Sequence, residues 1–66
     1  MNINKAMDSI RGRFFTVENG ETKVCAKDGK VTNSFLTAVD VNTGRTRRFQ
    51  KGRGSKIRCG NLVANF

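Results

Sequence analysis

The chain has 66 residues, and its 13 Lys and Arg side chains against 5 Asp and Glu side chains give a net charge of +8. A domain this short buries only about 60% of the surface of its unfolded form, which leaves little room for a deep catalytic pocket. The chain also contains no His, the side chain that most often serves as general base and as metal ligand, so we expect no enzyme, no metal and no cofactor.

Residues 2–10 are the only helical candidate. Ile3, Met7 and Ile10 recur at positions i, i+4 and i+7, and therefore lie on one face of a helix. Asn2 is a suitable N-cap. A helix this short is marginal in isolation, so we expect it to dock on the rest of the protein.

From Gly12 onward the sequence predicts short strands separated by turns. The predicted strands cover residues 14–17, 22–26, 35–41 and 45–50, followed by a last strand or pair at 56–59 and 62–64. The predicted turns are Asn19-Gly20, Asp28-Gly29 and Asn42-Thr43-Gly44. Residues 51–55 are Gly-rich, and we expect them to form a flexible loop.

Short strands with frequent turns indicate an all-β protein, a single domain formed by a helix or arm at 1–10 and a sheet at 11–66. Five strands curled into a small barrel would leave no lone hairpin and few open edges. Neighbouring strand residues face opposite sides, so one of Phe14 and Phe15 points inward, and the sequence does not decide which. The other expected core residues are Val17, Val24, Phe35, Leu36, Val39, Val41, Ile57, Leu62 and Val63.

Residues 11–17 have the sequence RGRFFTV, and this segment resembles a group of small proteins encoded by tailed bacteriophages. Those proteins begin with a short helix, continue with a (K/R)GRFF(S/T)V strand and carry a DG turn, here Asp28-Gly29. This chain departs from the pattern after Val17, where Asn19-Gly20 introduces an early turn. The resemblance implies a small SH3-like β-barrel and a phage origin, but little about activity, because one barrel fold hosts many functions.

Cys25 and Cys59 are the only cysteines of the chain. We expect them to be small buried apolar side chains. If their strands meet, a disulfide between them is the alternative. The chain shows no apolar run long enough to span a bilayer and no apolar segment typical of a signal peptide. We therefore expect a cytoplasmic, reduced protein, in the host cytoplasm if it is phage-encoded, with no membrane partner.

The positive charge is concentrated at the end of the chain. Residues 41–66 carry seven basic side chains and no Asp or Glu, whereas residues 1–40 carry six basic side chains and all five acidic ones. Such a one-sided field attracts a polyanion, and nucleic acid is the commonest polyanion in a cell. The candidate phosphate-binding residues of this stretch are Arg45, Arg47, Arg48, Lys51, Arg53, Lys56 and Arg58.

Arg11 and Arg13 flank the Phe14-Phe15 pair and are further candidates for phosphate contact. An exposed Phe between arginines can stack on an unpaired base, so Phe14 and Phe15 are candidate stacking residues, with core packing as the alternative. Asp40 lies on a strand that we expect to pair with the strand of Arg47 and Arg48. We therefore expect a cross-strand ion pair between Asp40 and one of these arginines.

Together these patterns predict a non-catalytic nucleic-acid-binding protein that contacts the DNA or RNA backbone through residues 45–58. Phosphate contacts position a protein without specifying sequence, so we expect weak sequence preference. The alternative is a protein-interaction module or inhibitor that docks on an acidic surface of a host protein, since Arg and Phe are enriched in interfaces. A homo-oligomer is compatible with either function, because pairing would enlarge a small core.

Overall fold

The computed structural model describes residues 3–66, which form one helix and six strands within extents of 29 × 23 × 23 Å. The predicted N-cap, Asn2, lies outside the described residues. The predicted class, all-β with a short N-terminal helix, is confirmed. The elements are α1 (Ile3–Ile10), β1 (Phe15–Asn19), β2 (Thr22–Thr32), β3 (Phe35–Asp40), β4 (Thr46–Gln50), β5 (Lys56–Cys59) and β6 (Leu62–Asn65).

The strands form a single antiparallel sheet in the order β4-β3-β2-β1-β5-β6. The first four strands form a meander, and β5 then returns to pair with the free side of β1. Gly60 and Asn61 make a two-residue turn that separates β5 from β6, so the sheet has six strands where five were expected. In the described part of the chain β4 and β6 remain the two edges of the sheet, which is open.

The turn between β1 and β2 lies where Asn19-Gly20 predicted it. Asn19 pairs with Thr22, so Asn19 ends β1 and the loop itself is Gly20-Glu21. Gly20 has φ of 61°, and glycine at the first central position is the requirement of a type II′ hairpin turn. The early turn that departs from the phage pattern is therefore a tight hairpin.

The predicted turn at Asp28-Gly29 is wrong, because β2 continues through both residues to Thr32. Lys27 pairs with Val39 and Lys30 pairs with Thr37, which places two residues of β2 opposite one residue of β3. This is a β-bulge, and Asp28 takes the left-handed conformation in it with φ of 54°. A bulge bends a strand without reversing it, so the reversal comes later, at Asn33-Ser34.

The core lies between α1 and the inner face of the sheet. It contains Met7 and Ile10 of α1, packed with strand residues such as Phe15, Leu36 and Ile57. The expected docking of the helix through its apolar face is thus confirmed. The other buried members of the cluster are Val17, Ala26, Ala38, Cys59 and Phe66.

Of the two adjacent phenylalanines, Phe15 points inward and is 2% exposed, whereas Phe14 is 66% exposed. The expectation that Phe35, Val39 and Val63 fill the core is wrong. On β3 the buried positions are Leu36, Ala38 and Asp40, so alternation turns Phe35 and Val39 toward the other face. Val63 likewise alternates with buried Ala64 and is exposed.

The helix approaches the sheet most closely at the bulge. A Cβ atom added at Gly29 would collide with the end of the Met7 side chain and would lie 2.7 Å from Phe15 Cζ. Any larger residue at this position would have to displace a buried aromatic ring. The absence of a side chain at position 29 therefore lets α1 dock over Phe15.

Candidate nucleic-acid interface

The seven late basic residues do not share one face of the molecule. Arg47 and Arg48 lie on β4, Lys56 and Arg58 lie on β5, and β3, β2 and β1 separate these two strands in the sheet. The remaining three, Arg45, Lys51 and Arg53, are exposed residues of the segments that precede and follow β4.

The two arginines of β4 point to opposite faces. Arg47 pairs with buried Ala38 and so lies on the inner face, the face of Phe49, whereas Arg48 pairs with Thr37 on the outer face. Each guanidinium lies against an aromatic ring: Arg47 Cζ is 5.6 Å from the Phe49 ring centroid, and Arg48 Cζ is 5.2 Å from that of Phe35. Contacts of this kind attract the cation to the ring face.

Arg47 also forms the cross-strand ion pair predicted for Asp40. Arg47 Nη1 lies 3.5 Å from Asp40 Oδ2, and the backbone N–H of Asn42 donates to Asp40 Oδ1 at 2.8 Å. The Asn42 hydrogen bond is the main cause that holds the pKa of Asp40 below its ordinary value; burial of the carboxylate opposes this lowering, and Arg47 adds to it. The Arg47 side chain is still 48% exposed.

Asp40 should therefore make the stability of the fold at the β3–β4 hairpin sensitive to acid. Because folding lowers the pKa of Asp40, its ionised form stabilises the fold above the unfolded pKa of about 3.9, and this contribution is lost as pH falls through the folded pKa. We expect Asp40→Asn to lower the melting temperature at pH 7 and to make it less sensitive to pH between roughly 5 and 2. Circular dichroism melts across that range measure both effects.

The matched control for this experiment is Glu21→Gln, which removes an exposed carboxylate from the β1–β2 turn. It should keep the acid dependence of the wild type. An Asp40→Asn variant that melts in parallel with the wild type at every pH would contradict the role assigned to Asp40.

A cleft of about 360 Å³ lies between β4, the β1–β2 hairpin and the loop 51–55. It has apolar residues from three strands, Val17, Val24 and Phe49, and three arginines. No Asp or Glu among residues 3–66 lines it, although one of its arginines, Arg47, is paired with Asp40. The lining residues are Val17, Asn19, Thr22, Val24, Arg47, Arg48, Phe49, Gln50, Arg53 and Ser55.

The loop at 51–55 is fastened to the sheet at both ends, contrary to the expectation of a flexible loop. The Asn19 side chain donates to the carbonyl of Arg53 at 2.9 Å and to Ser55 Oγ at 3.1 Å. The N–H of Lys51 donates to the carbonyl of Ser34 at 2.7 Å. These bonds fix the backbone of Arg53 beside the cleft.

Sequence reasoning missed the neutral residues of this site, above all Asn19 and Ser55. The sequence predicts Asn19 only as a turn residue, whereas its side chain joins two segments 36 positions apart. Ser55 is buried, and the carbonyl of Ser55 accepts a hydrogen bond from the N–H of Phe66. A polar residue at the end of a strand is a weak signal, because most such residues only face solvent.

The two cations of β5 lie on the outer face of the sheet, away from the cleft. Lys56 pairs with Glu18 in register, and Arg58 pairs with Thr16. Arg58 Nε donates to Glu18 Oε2 at 3.3 Å. Part of this cationic surface is therefore neutralised within the protein.

Arg11 and Arg13 are not brought to the cleft. Arg13 lies just after α1, where its N–H donates to the carbonyl of Ile10 at 3.0 Å, and Arg11 lies beside Lys30 at a separate depression along the helix. Of the two predicted stacking residues, Phe15 is buried in the core and can meet no base. Phe14 remains at the surface.

The two cysteines are free thiols. Cys59 is buried, as expected, and its Sγ donates to the carbonyl of Phe14 at 3.4 Å. Cys25 is half-buried on β2, at the level of Thr16. Within residues 3–66 no three side chains of the His, Cys, Asp and Glu types come together as a metal site.

Comparisons of this chain with protein families, with curated proteins and with solved structures find no match. Among the described residues, no helix is long and apolar enough to cross a membrane. The geometry of the cleft and its charge are therefore the features that point to a function.

Proposed function

We propose that this protein binds nucleic acid without catalysis and holds backbone phosphates at the cleft between β4 and the β1–β2 hairpin. The observation that carries the proposal is the lining of the cleft, which includes Arg47, Arg48 and Arg53 and no Asp or Glu of the described chain. The planar guanidinium of arginine can bind two phosphate oxygens at once.

The setting of these arginines supports the proposal. The aromatic contacts of Arg47 and Arg48 restrict these two guanidinium groups before a ligand arrives, and the anchored backbone of Arg53 fixes the position from which its side chain extends. Restricting them in advance reduces the side-chain entropy that binding costs. Since these contacts would be made to phosphates, we expect binding with weak sequence preference.

We further propose that the sheet, although its edges stay open, has the strand topology of an SH3-like barrel, as the resemblance to the tailed-phage proteins implies. The meander β1–β4 with β5 returning to β1 supports this topology, and the bulge at Asp28-Gly29 supplies the bend that a curled sheet needs. A phage origin and a place in the host cytoplasm belong to the same proposal.

A salt series on short DNA and RNA oligonucleotides tests the function. With about four to six phosphate contacts, the logarithm of the affinity should fall against the logarithm of salt concentration with a slope of roughly −3 to −5. Fluorescence anisotropy of a labelled oligonucleotide measures the affinity at each salt concentration, and the series of affinities gives the slope. Absence of binding at about 50 mM salt would refute the proposal.

The free edge of β4 favours a second candidate, docking on an acidic protein segment. Asp40 and Arg45 are joined by a backbone hydrogen bond, as are Ser34 and Lys51. Alternation between these pairs turns the backbone groups of Thr46, Arg48 and Gln50 away from β3. An extended partner can add to such an edge as a further strand, and the arginines of β4 would select an acidic one.

Nuclease treatment separates the two functions. A host protein that remains bound after nuclease and forms a one-to-one complex with the purified chain would support docking. Loss of all binding partners on nuclease treatment would support the nucleic-acid function.

A further inference from the structure

Phe14 is a large apolar side chain that lies at the surface among cations. It borders a depression of about 300 Å³ whose lining includes two cations, Lys23 and Arg58, and one carboxylate, Glu18. A single exposed apolar residue is ordinary on a protein surface. The surroundings distinguish this one, because an aromatic face beside Lys and Arg is the combination that binds a base and its phosphate together.

The outer face of β1 continues this surface toward the cleft. In register, Glu18 lies between Lys23 of β2 and Lys56 of β5. Arg58 donates to Glu18 at 3.3 Å, and the row of three cations and one carboxylate has a net charge of +2. We call these residues, with Phe14, the outer track: Phe14, Glu18, Lys23, Lys56 and Arg58.

The outer track meets the cleft at the tip of the β1–β2 hairpin. Phe14 precedes the first residue of β1 and Asn19 is its last, so the track is about 17 Å long at roughly 3.3 Å per residue. Asn19 and Thr22 line the cleft. Val17 and Val24, however, face the cleft from the inner side of the sheet, opposite to Thr16 and Lys23.

A ligand that occupies both the cleft and the outer track must therefore bend around the hairpin tip within a few nucleotides. A DNA duplex has a persistence length of about 150 base pairs, and it cannot follow this path. A single strand has no such stiffness, and only a single strand presents an unstacked base to Phe14.

We infer that the nucleic acid bound by this protein is single-stranded, with phosphates in the cleft and along the outer track and an unpaired base stacked on Phe14. The inference rests on the proposed function and adds the class of ligand to it. Stacking on an aromatic side chain accepts any base, so the weak sequence preference is retained.

The test compares a labelled oligothymidine of about 12 nucleotides, within the size that small single-strand-binding domains occupy, with a duplex of the same length. The wild type should bind the single strand more tightly. Phe14→Ala should weaken single-strand binding by about 5- to 150-fold, the range measured for loss of one stacked base. Duplex binding, which uses the cleft alone, should not change with this variant.

Phe14→Leu is the matched variant, because it keeps an apolar side chain and removes the aromatic face. If Phe14→Leu binds as weakly as Phe14→Ala, stacking is supported. If Phe14→Leu binds like the wild type, or if duplex and single strand bind equally, the inference is overturned while the proposed function stands. If neither oligonucleotide binds at about 50 mM salt, the proposed function fails, and the inference with it.

Discussion

Replacing Arg48 and Arg53 together by glutamine is expected to weaken nucleic-acid binding at about 50 mM salt by roughly 10- to 100-fold, because each loses a solvent-exposed contact to phosphate worth about 0.7 to 1.4 kcal/mol. The salt dependence should fall as well, with a slope less steep by about 1.4 to 1.8 for the two contacts. Both residues line the cleft. Arg47 is left in place because its ion pair with Asp40 also supports the fold.

The matched control removes the same charge elsewhere. Lys5 on α1 and Lys27 on β2 are exposed, and neither lines the cleft. The Lys5→Gln, Lys27→Gln double variant has the same net charge as the arginine variant and should bind almost as tightly as the wild type. Equal losses of affinity in the two variants would show that binding depends on net charge alone and would contradict a site at the cleft.

Truncating Phe15 should destabilise the protein far more than truncating its neighbour Phe14. Phe15 packs in the core with Met7 and Ile10, and removing a buried Phe ring costs about 3–5 kcal/mol in free energy of unfolding. Small domains have about 5 kcal/mol or little more to lose, so Phe15→Ala should be largely unfolded in mild denaturant. Urea titrations followed by circular dichroism measure the difference.

Phe14→Ala is the control for this prediction, since it removes the same atoms from a surface position. Its free energy of unfolding should stay within about 0.5 kcal/mol of the wild type, as is usual for exposed sites. Equal destabilisation by the two substitutions would contradict the orientation of β1. A stable Phe14→Ala variant also ensures that its loss of single-strand binding reports on the surface.

The helix and most strands could be predicted because their signals are local. The 3-4 spacing of Ile3, Met7 and Ile10 defines a helix face whatever that face contacts. Gly20 and Gly44 follow turn residues and punctuate the strands in the same way. Strand orientation is not local, since Phe14 and Phe15 are equally apolar and only the register of β1 with β2 and β5 decides which one is buried.

The positive charge of the candidate site could be predicted from the sequence, but the positions of its cations on the sheet could not. The seven cations of residues 41–66 indicated a polyanion, yet their distribution depends on β5 pairing with β1, a contact between segments about 40 residues apart. The Asp28-Gly29 dipeptide shows the same limit. Its left-handed preference suits a turn or a bulge, and the pairing of Lys30 with Thr37 makes it a bulge.

Because α1 lies so close to the bulge, the residues that can occupy three distant positions of the chain depend on one another. Only a hydrogen atom fits where Gly29 faces Met7 and Phe15. In any sequence that keeps this fold, a side chain at position 29 would have to be accompanied by a shorter residue at position 7 and a displaced ring at position 15. Positions 7, 15 and 29 should therefore change as a group, while the exposed lysines around them vary independently.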